Sequence, residues 1–548
     1  MSIAATERPA QSNSSSLARN RASRLRSLWA RFEQTGDWLD NRPRLLLLIL
    51  GLVYLAFVLP NSYARLMWHD ELFTYNLALS PSLSRMFHNI RLIDLNPPLL
   101  YLFDYVILRL PGVHANDHLA SMAARLPSIS AGLIGSLGLF AWLWPRLGPL
   151  WSLLGVSVLW NTEFLVYAGE DRPYELMVAF AILLILARER AVEPQRDPAW
   201  VGATLLLGAA MVGSHFMGAF VLLAFLAAEA VRAWGRRCLD LPLTLSYLLP
   251  FGIIAAYRGT VSGYGTILFP SVFRPHLITA PMAYIAVARY VSLLLLAGLL
   301  LLLIPGGSTS PTPLRRMRSL AALTAPDYAL LIGLFLEPLI AVSMVARSHG
   351  AYFPRYGLPA SIPIAILTAL LFCALFHRSR GVAILAILLL WGYPARLCAR
   401  ALGFPGAVQA EAAEKSSLDL HTIDPSLPLV AASGLTFVEM NHRESPAFLQ
   451  RTWFLTDREA AIRYAHATLF EGEAEVARVF RFQAHVEPLP SFEAEHPKFL
   501  VLGTWNYQEE WLLRKLHADG NLVRYLGRCS AGYGDHQLYE ITIKKKAQ

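Results

Sequence analysis

The stretch Trp68-His69-Asp70-Glu71 places two adjacent carboxylates just past the first long apolar run of the chain. Acids beside a membrane-embedded cavity cost free energy to desolvate and mark function, whereas acids in a solvated loop carry no such implication. Asp70 at the top of such a cavity can accept the proton of an attacking hydroxyl, or hold a cation such as Mg or Mn beside a phosphate, with Glu71 next to it. The same pair also fits a plain helix N-terminal charge.

Four further clusters have the residue types for binding an anionic or hydroxylated substrate. Asn96-Pro97-Pro98 is an extended turn entering a helix, with Asn96 either a cap or a ligand. Glu170-Asp171-Arg172, between Tyr167 and Tyr174, packs three charges into a short turn, and Arg172 there can pair with an acid or a phosphate. His215 interrupts two apolar runs and either lines a polar cavity or bonds a turn carbonyl. Arg355-Tyr356 presents a guanidinium and a phenol at the mouth of an apolar segment, suited to a phosphate in the headgroup zone or to an aromatic-belt anchor. Arg274 and His276, in a Pro- and aromatic-rich loop from 262 to 283, are left unassigned.

The elements that must position these groups follow from composition. A chain of 548 residues, 55% hydrophobic and only 16% charged, with a mean hydropathy of +0.41, is an integral membrane protein. Apolar runs long enough for a bilayer core, about 20 residues each, recur between 44 and 399 and give candidate spans at 44–60, 123–144, 148–167, 173–187, 199–213, 216–231, 242–261, 284–304, 327–346, 357–376 and 381–399. With the N-terminus inside, the clusters Arg146, Arg188/Arg190/Arg196, Arg232/Arg236/Arg237, Arg315/Arg316/Arg318 and Arg378/Arg380 all fall on the cytoplasmic side. That parity requires the helical segment from Pro97 to Leu110 to lie along the membrane inside a long first external loop, 61–122. Nearly every candidate residue then falls on the other side.

Residues 1–43 form a basic, Ser-rich tail without an apolar core, expected to be cytoplasmic and partly disordered. Residues 400–548 alternate short apolar runs (Leu427 to Val438, Phe448 to Leu455, Phe499 to Leu502, His536 to Ile543) with helical stretches at 457–467 and 507–518, which reads as a small external α/β domain. The net charge of +9 sits in interhelical arginine clusters, so no nucleic-acid partner is expected. The four cysteines, Cys238, Cys373, Cys398 and Cys529, have neither disulfide-framework nor zinc spacing.

Taken in order, WHDEL at 68–72, NPPLLYLF at 96–103, RLPS at 125–128, YAGEDRPYEL at 167–176, SHF at 214–216 and RYGLPASIP at 355–363 resemble the motif series of bacterial GT-C glycosyltransferases, the group containing protein O-mannosyltransferases and lipid A aminoarabinose transferases. The resemblance spans residues 44–380. It implies an α-helical polytopic fold, for which the apolar runs above give about 11 spans, an inner-membrane location with site and C-terminal domain in the periplasm, and inverting transfer of a sugar from a polyprenyl-phosphate carrier to a glycan, lipid or protein acceptor. By the resemblance Asp70 is the catalytic acid residue with Glu71 beside it. Glu170, Asp171, Arg172 and Tyr174 fall in the second external motif, His215 in the third, and Arg355 and Tyr356 in the segment contacting the carrier phosphate. Some members use a divalent cation, for which Asp70 is the candidate ligand, and others do not. Asn96 stands where His or Lys is usual, Asp171 where a small residue is usual and Phe216 where Tyr often follows; Asn96 carries no positive charge for a phosphate. A lipid-linked-sugar transporter or an O-antigen polymerase or ligase are the alternatives, disfavoured by the absence of paired repeats and by the early position of the acids.

Overall fold

The computed structural model describes residues 12–94, 96–113, 118–259, 323–347, 351–403, 418–507, 509–529 and 536–544, with short stretches between 267 and 296. The Arg315/Arg316/Arg318 cluster, residues 1–11 and parts of the 262–283 loop and of the 284–304 span lie outside the described residues.

The first helix, α1 (Ser12–Asp40), occupies the tail expected to be partly disordered. Its acidic C-terminal half explains the order: Glu33 accepts from Arg380 N at 3.1 Å, and Asp40 accepts from Arg380 Nε at 3.0 Å and from Leu150 N at 3.0 Å. After the apolar α2 (Pro43–Ala64), the first loop folds into three short helices, α3 (His69–Ala78), α4 (Leu83–Ile93) and α5 (Leu99–Ile107). At about 1.5 Å per residue, the nine residues of α5 are too short to cross a bilayer, as the arginine parity requires.

The bundle continues through α6 (His118–Leu147), α7 (Pro149–Trp160), α8 (Phe164–Tyr167), α9 (Tyr174–Ala191), α10 (Pro198–Ser214), α11 (Gly218–Arg236), α12 (Leu241–Leu248) and α13 (Phe251–Ala256). It ends with α14 (Thr279–Ala288), α15 (Ala325–Arg347), a 3-10 turn (Pro354–Ala360) running into α16 (Ser361–Leu375), and α17 (Arg380–Ala401). Six described segments are long and apolar enough to cross a membrane, and four apolar helices are shorter. The Pro354–Leu375 segment is buried along nearly its whole length, so the 3-10 turn enters the middle of the bundle. The described arginine clusters join at one end: Arg146 binds Glu189, Arg188 binds Asp327, Arg196 and Arg232 share Asp240, and Arg378 donates to the Arg146 carbonyl.

The C-terminal unit is a six-stranded sheet in the order β3-β2-β1-β4-β6-β5. Strands β1 (Leu429–Ala431), β2 (Thr452–Thr456), β3 (His485–Pro488) and β4 (Lys498–Gly503) run parallel, and β6 (Gln537–Thr542) pairs antiparallel with β4 and with β5 (Leu522–Arg528). The apolar run Leu427 to Val438, read as one element, divides into β1 and a helix, α18 (Gly434–Arg443), because Ser433 caps the new helix by accepting from Leu435 N. Strands β3 and β5 escaped sequence reading because both are edge strands with exposed polar residues. This unit packs on the first loop through Val438, Val476 and Phe480 against Met67, Leu72 and Tyr75.

Candidate active site

Helix α3 starts at its acids because Trp68 N donates to Glu71 Oε2 at 3.3 Å, closing the first turn, and anions are favoured at a helix N-terminus. The two neighbours then part. Glu71 is fully buried: Arg125 donates to it twice, Nε to Oε1 at 2.8 Å and Nη2 to Oε2 at 2.9 Å, and Asp171 N donates to Oε1 at 2.8 Å. Arg125, itself fully buried, also donates to the Ser62 and Arg65 carbonyls. The sequence-based pairing of Glu71 with Asp70 in catalysis is therefore revised: Glu71 is an anchor that ties α3 to α6 and to the turn at 170–172.

Asp70, by contrast, keeps its side chain partly exposed. Arg355 Nη2 donates to its Oδ2 at 2.9 Å, Arg172 Nη2 lies 4.0 Å from the same oxygen, and Arg172 Nη1 donates to the Asp70 carbonyl at 2.9 Å and to Thr74 Oγ1 at 3.2 Å. Burial alone would raise the Asp70 pKa, but Arg172, then Arg355 and His69, hold it below the usual carboxylate range. Arg355 Nε donates to Tyr174 Oη at 2.8 Å. Tyr174, His215 and Tyr356 form an aromatic wall, with His215 centred 5.4 Å from Tyr174 and 5.0 Å from Tyr356. Burial, then Arg172 and Arg355, push the His215 pKa down to about 3. Its Nδ1 accepts from Met217 N at 3.2 Å, so the neutral ring carries its proton on Nε2.

The backbone geometry behind this is local. Pro354 fixes φ at the start of the 3-10 turn that carries Arg355. Gly357 lets that turn touch α15, since a Cβ there would lie 3.0 Å from Pro338 Cγ. Arg172 is held by Ser128 Oγ, which donates to its carbonyl at 2.9 Å.

The remaining candidates sit at the margin. Glu170 is bound by Arg65 at 2.6 Å, and burial pushes its carboxyl up to about 7 against that pull. Asp171 lies against Asp104 with both side chains fully buried, and burial followed by neighbouring carboxylates raises both well above the usual range. Asn96 is not in the cluster with Arg355; its Nδ2 donates to Asp94 Oδ1 at 2.8 Å, while Tyr101 Oη donates to Asp94 Oδ2. Burial raises the Asp94 carboxyl against the pull of the nearby Arg172, and this acid beside the cluster was missed by sequence reading. Arg65, Arg125 and Asp104 were missed as well; only Arg125 had a signal, as the first residue of the RLPS motif.

A divalent cation would need Asp70 as a ligand, yet Asp70 Oδ2 is taken by arginine, and among the described residues no three His, Cys, Asp or Glu side chains converge on a point. No step below is routed through such an ion.

Helices enclosing an acid–arginine centre beneath a short-helix first loop, with an α/β unit resting on that loop, define the GT-C fold. The chain shares this fold with ArnT from Cupriavidus metallidurans bound to undecaprenyl phosphate: TM-score 0.50 and 12% identity over 90% of this chain and 97% of that one. The apo state of ArnT aligns at TM-score 0.48 with 12% identity and the same coverage. The apo oligosaccharyltransferase of Archaeoglobus fulgidus aligns at TM-score 0.40 and 12% identity over 73% of this chain and 63% of that one. No family model matches the sequence, and none of the curated proteins matches it.

Proposed function

We propose that the chain is an integral membrane glycosyltransferase that moves a sugar from a polyprenyl-phosphate carrier to a hydroxyl acceptor on the side of the membrane where the C-terminal domain lies. The observation that carries this reading is the convergence of Asp70, Arg172, Tyr174 and Arg355, drawn from three separate loops, on one half-buried point. The shared fold with a protein seen bound to undecaprenyl phosphate supports the lipid-linked donor.

The chemistry needs few parts. The acceptor oxygen forms a bond to the anomeric carbon as the carbon–phosphate oxygen bond breaks; the phosphate leaves with the bonding electrons and the acceptor proton passes to a carboxylate. Arg355 and Arg172 supply positive charge where phosphate charge develops, and a buried site makes that charge more effective than it is in water. Asp70 uses Oδ2 to hold Arg355, which leaves Oδ1, 3.8 Å from His69 Nε2, to take the proton. The buried, neutral His215 and the tyrosines supply a wall that excludes water. One displacement inverts the anomeric centre.

The test is transfer from a panel of labelled polyprenyl-phosphate sugars by membranes containing the protein, with the product's anomeric configuration determined. Transfer with inversion supports the reading, retention contradicts the single displacement, and no transfer from any donor favours the transporter alternative.

A further inference from the structure

Helix α1 is fastened to the bundle by one face only. Arg380, at the start of α17, donates to Asp37 at 2.8 Å and to Asp40 at 3.0 Å, Ser379 Oγ donates to Glu33, and a Cβ on Gly36 would collide with Arg380. Trp29 closes the same face, since a Cβ on Gly381 would lie 3.2 Å from its Cζ2. Asp40 also accepts from Leu150 N at the start of α7, so α1 meets the bundle at the end that carries the arginine clusters. Arg42 stacks over Trp38 at 4.0 Å and Arg146 over Trp142 at 3.9 Å, the pairing of tryptophan and arginine expected at the boundary between bilayer and water. The chain then turns at Arg42 straight into the apolar α2 at Pro43, which fixes the C-terminal end of α1 at that boundary.

The face that α1 leaves uncovered is sorted by chemistry. Leu28 and Phe32, one turn apart and 51% and 38% exposed, form an apolar stripe beside the fastened face. Arg24 and Arg31, one turn before and one turn after Leu28, border that stripe on its other side; both are exposed, and neither makes an ion pair among the described residues. Gln34 is exposed on the side away from the stripe. The acids Glu33, Asp37 and Asp40 all lie in the half held by α17, whereas residues 12–32 contain Arg19, Arg21, Arg24, Arg26 and Arg31 and no acid. We propose that α1 is an interfacial helix that binds anionic phospholipid on this face of the membrane, with Leu28 and Phe32 entering the acyl boundary and Arg24 and Arg31 holding headgroup phosphates. An apolar stripe flanked by arginines of one sign is the pattern that lies in a bilayer surface, and its attraction to anionic lipid is electrostatic as well as apolar. A lipid is favoured over a protein occupant because the stripe leads directly into a membrane span and because the neighbouring acids are already taken up by Arg380.

This inference needs only that the chain spans a membrane, and it stands apart from the glycosyl-transfer reading. The test uses the full-length protein in vesicles of phosphatidylcholine and phosphatidylglycerol, with Cys238→Ser and Cys398→Ser removing the two cysteines that are not buried. A fluorophore is attached at Leu28→Cys, Phe32→Cys or Gln34→Cys, one at a time, and quenched by doxyl-labelled phosphatidylglycerol, by doxyl-labelled phosphatidylcholine or by aqueous acrylamide. Probes at 28 and 32 are expected to be quenched by lipid and shielded from acrylamide, and the probe at 34 to show the reverse. At position 28 the anionic quencher is expected to act about fivefold more strongly than the zwitterionic one, and the double variant Arg24→Gln with Arg31→Gln, or high salt, to bring that ratio toward unity. Lipid quenching at 28 no greater than at 34 overturns the proposal, and so does a ratio near unity for the two lipids with both arginines present. A probe at 28 shielded from lipid and acrylamide alike shows that protein covers the stripe and also overturns it. A ratio that survives the double variant in a normally stable protein overturns the role given to Arg24 and Arg31.

Discussion

Arg355 Nη2 donates to Asp70 Oδ2 over 2.9 Å, joining residues 285 positions apart in the chain. The same guanidinium donates from Nε to Tyr174, so one side chain ties together the first loop, the start of α9 and the 3-10 turn. Two fixed directions of donation suit the planar fork of arginine and are lost to a single ammonium.

Arg355→Lys is therefore expected to lower kcat/KM on the order of a hundredfold, as does removal of one donor from a transition-state anion site. Steady-state transfer kinetics check it. A lysine variant within a factor of about two of wild type would show that the fork geometry is not used.

Breaking the Glu71–Arg125 pair from one side leaves a buried, uncompensated charge. Arg125→Met is expected to cost about 3–5 kcal/mol of stability, and the double variant Arg125→Met with Glu71→Gln to recover part of it. Thermal unfolding of the detergent-solubilised protein reads both. An unchanged midpoint in Arg125→Met would contradict the anchor role given to Glu71.

The Asp104–Asp171 pair makes a pH prediction. Both folded-state pKa values are raised, so the folded chain holds protons that the unfolded chain releases at about pH 4. Their contribution is fully present below that unfolded value and is lost as pH rises toward the raised folded values. Between about pH 5 and pH 8 the wild-type midpoint should fall more steeply than that of Asp104→Asn; parallel slopes would refute protons retained by this pair.

Much of this site was legible before any coordinates. Asp70, Arg172, Tyr174, His215, Arg355 and Tyr356 stand out as polar or aromatic groups in short breaks between apolar runs, and the arginine clusters predict which loops share a side. What could not be read was partnership. Nothing local distinguishes Asp70 from Glu71; the difference is Arg125, 54 residues from Glu71 and brought there by the packing of α6. Asp94 was hidden because its partners, Asn96 and Tyr101, only converge once α5 forms. The His69–Glu439 contact spans 370 positions and depends on how the C-terminal sheet docks on the first loop. The departure at Asn96 also acquires a sense, since an amide there serves Asp94 rather than a phosphate.

The central claim is tested most directly by comparing wild type and equally expressed Asp70→Asn for two properties, binding of undecaprenyl phosphate and transfer of sugar from a polyprenyl-phosphate donor. The account predicts that the wild type does both and that Asp70→Asn still binds the lipid, through Arg172 and Arg355, while transfer is lost. Transfer by Asp70→Asn at the wild-type rate would remove Asp70 from the mechanism and contradict the account.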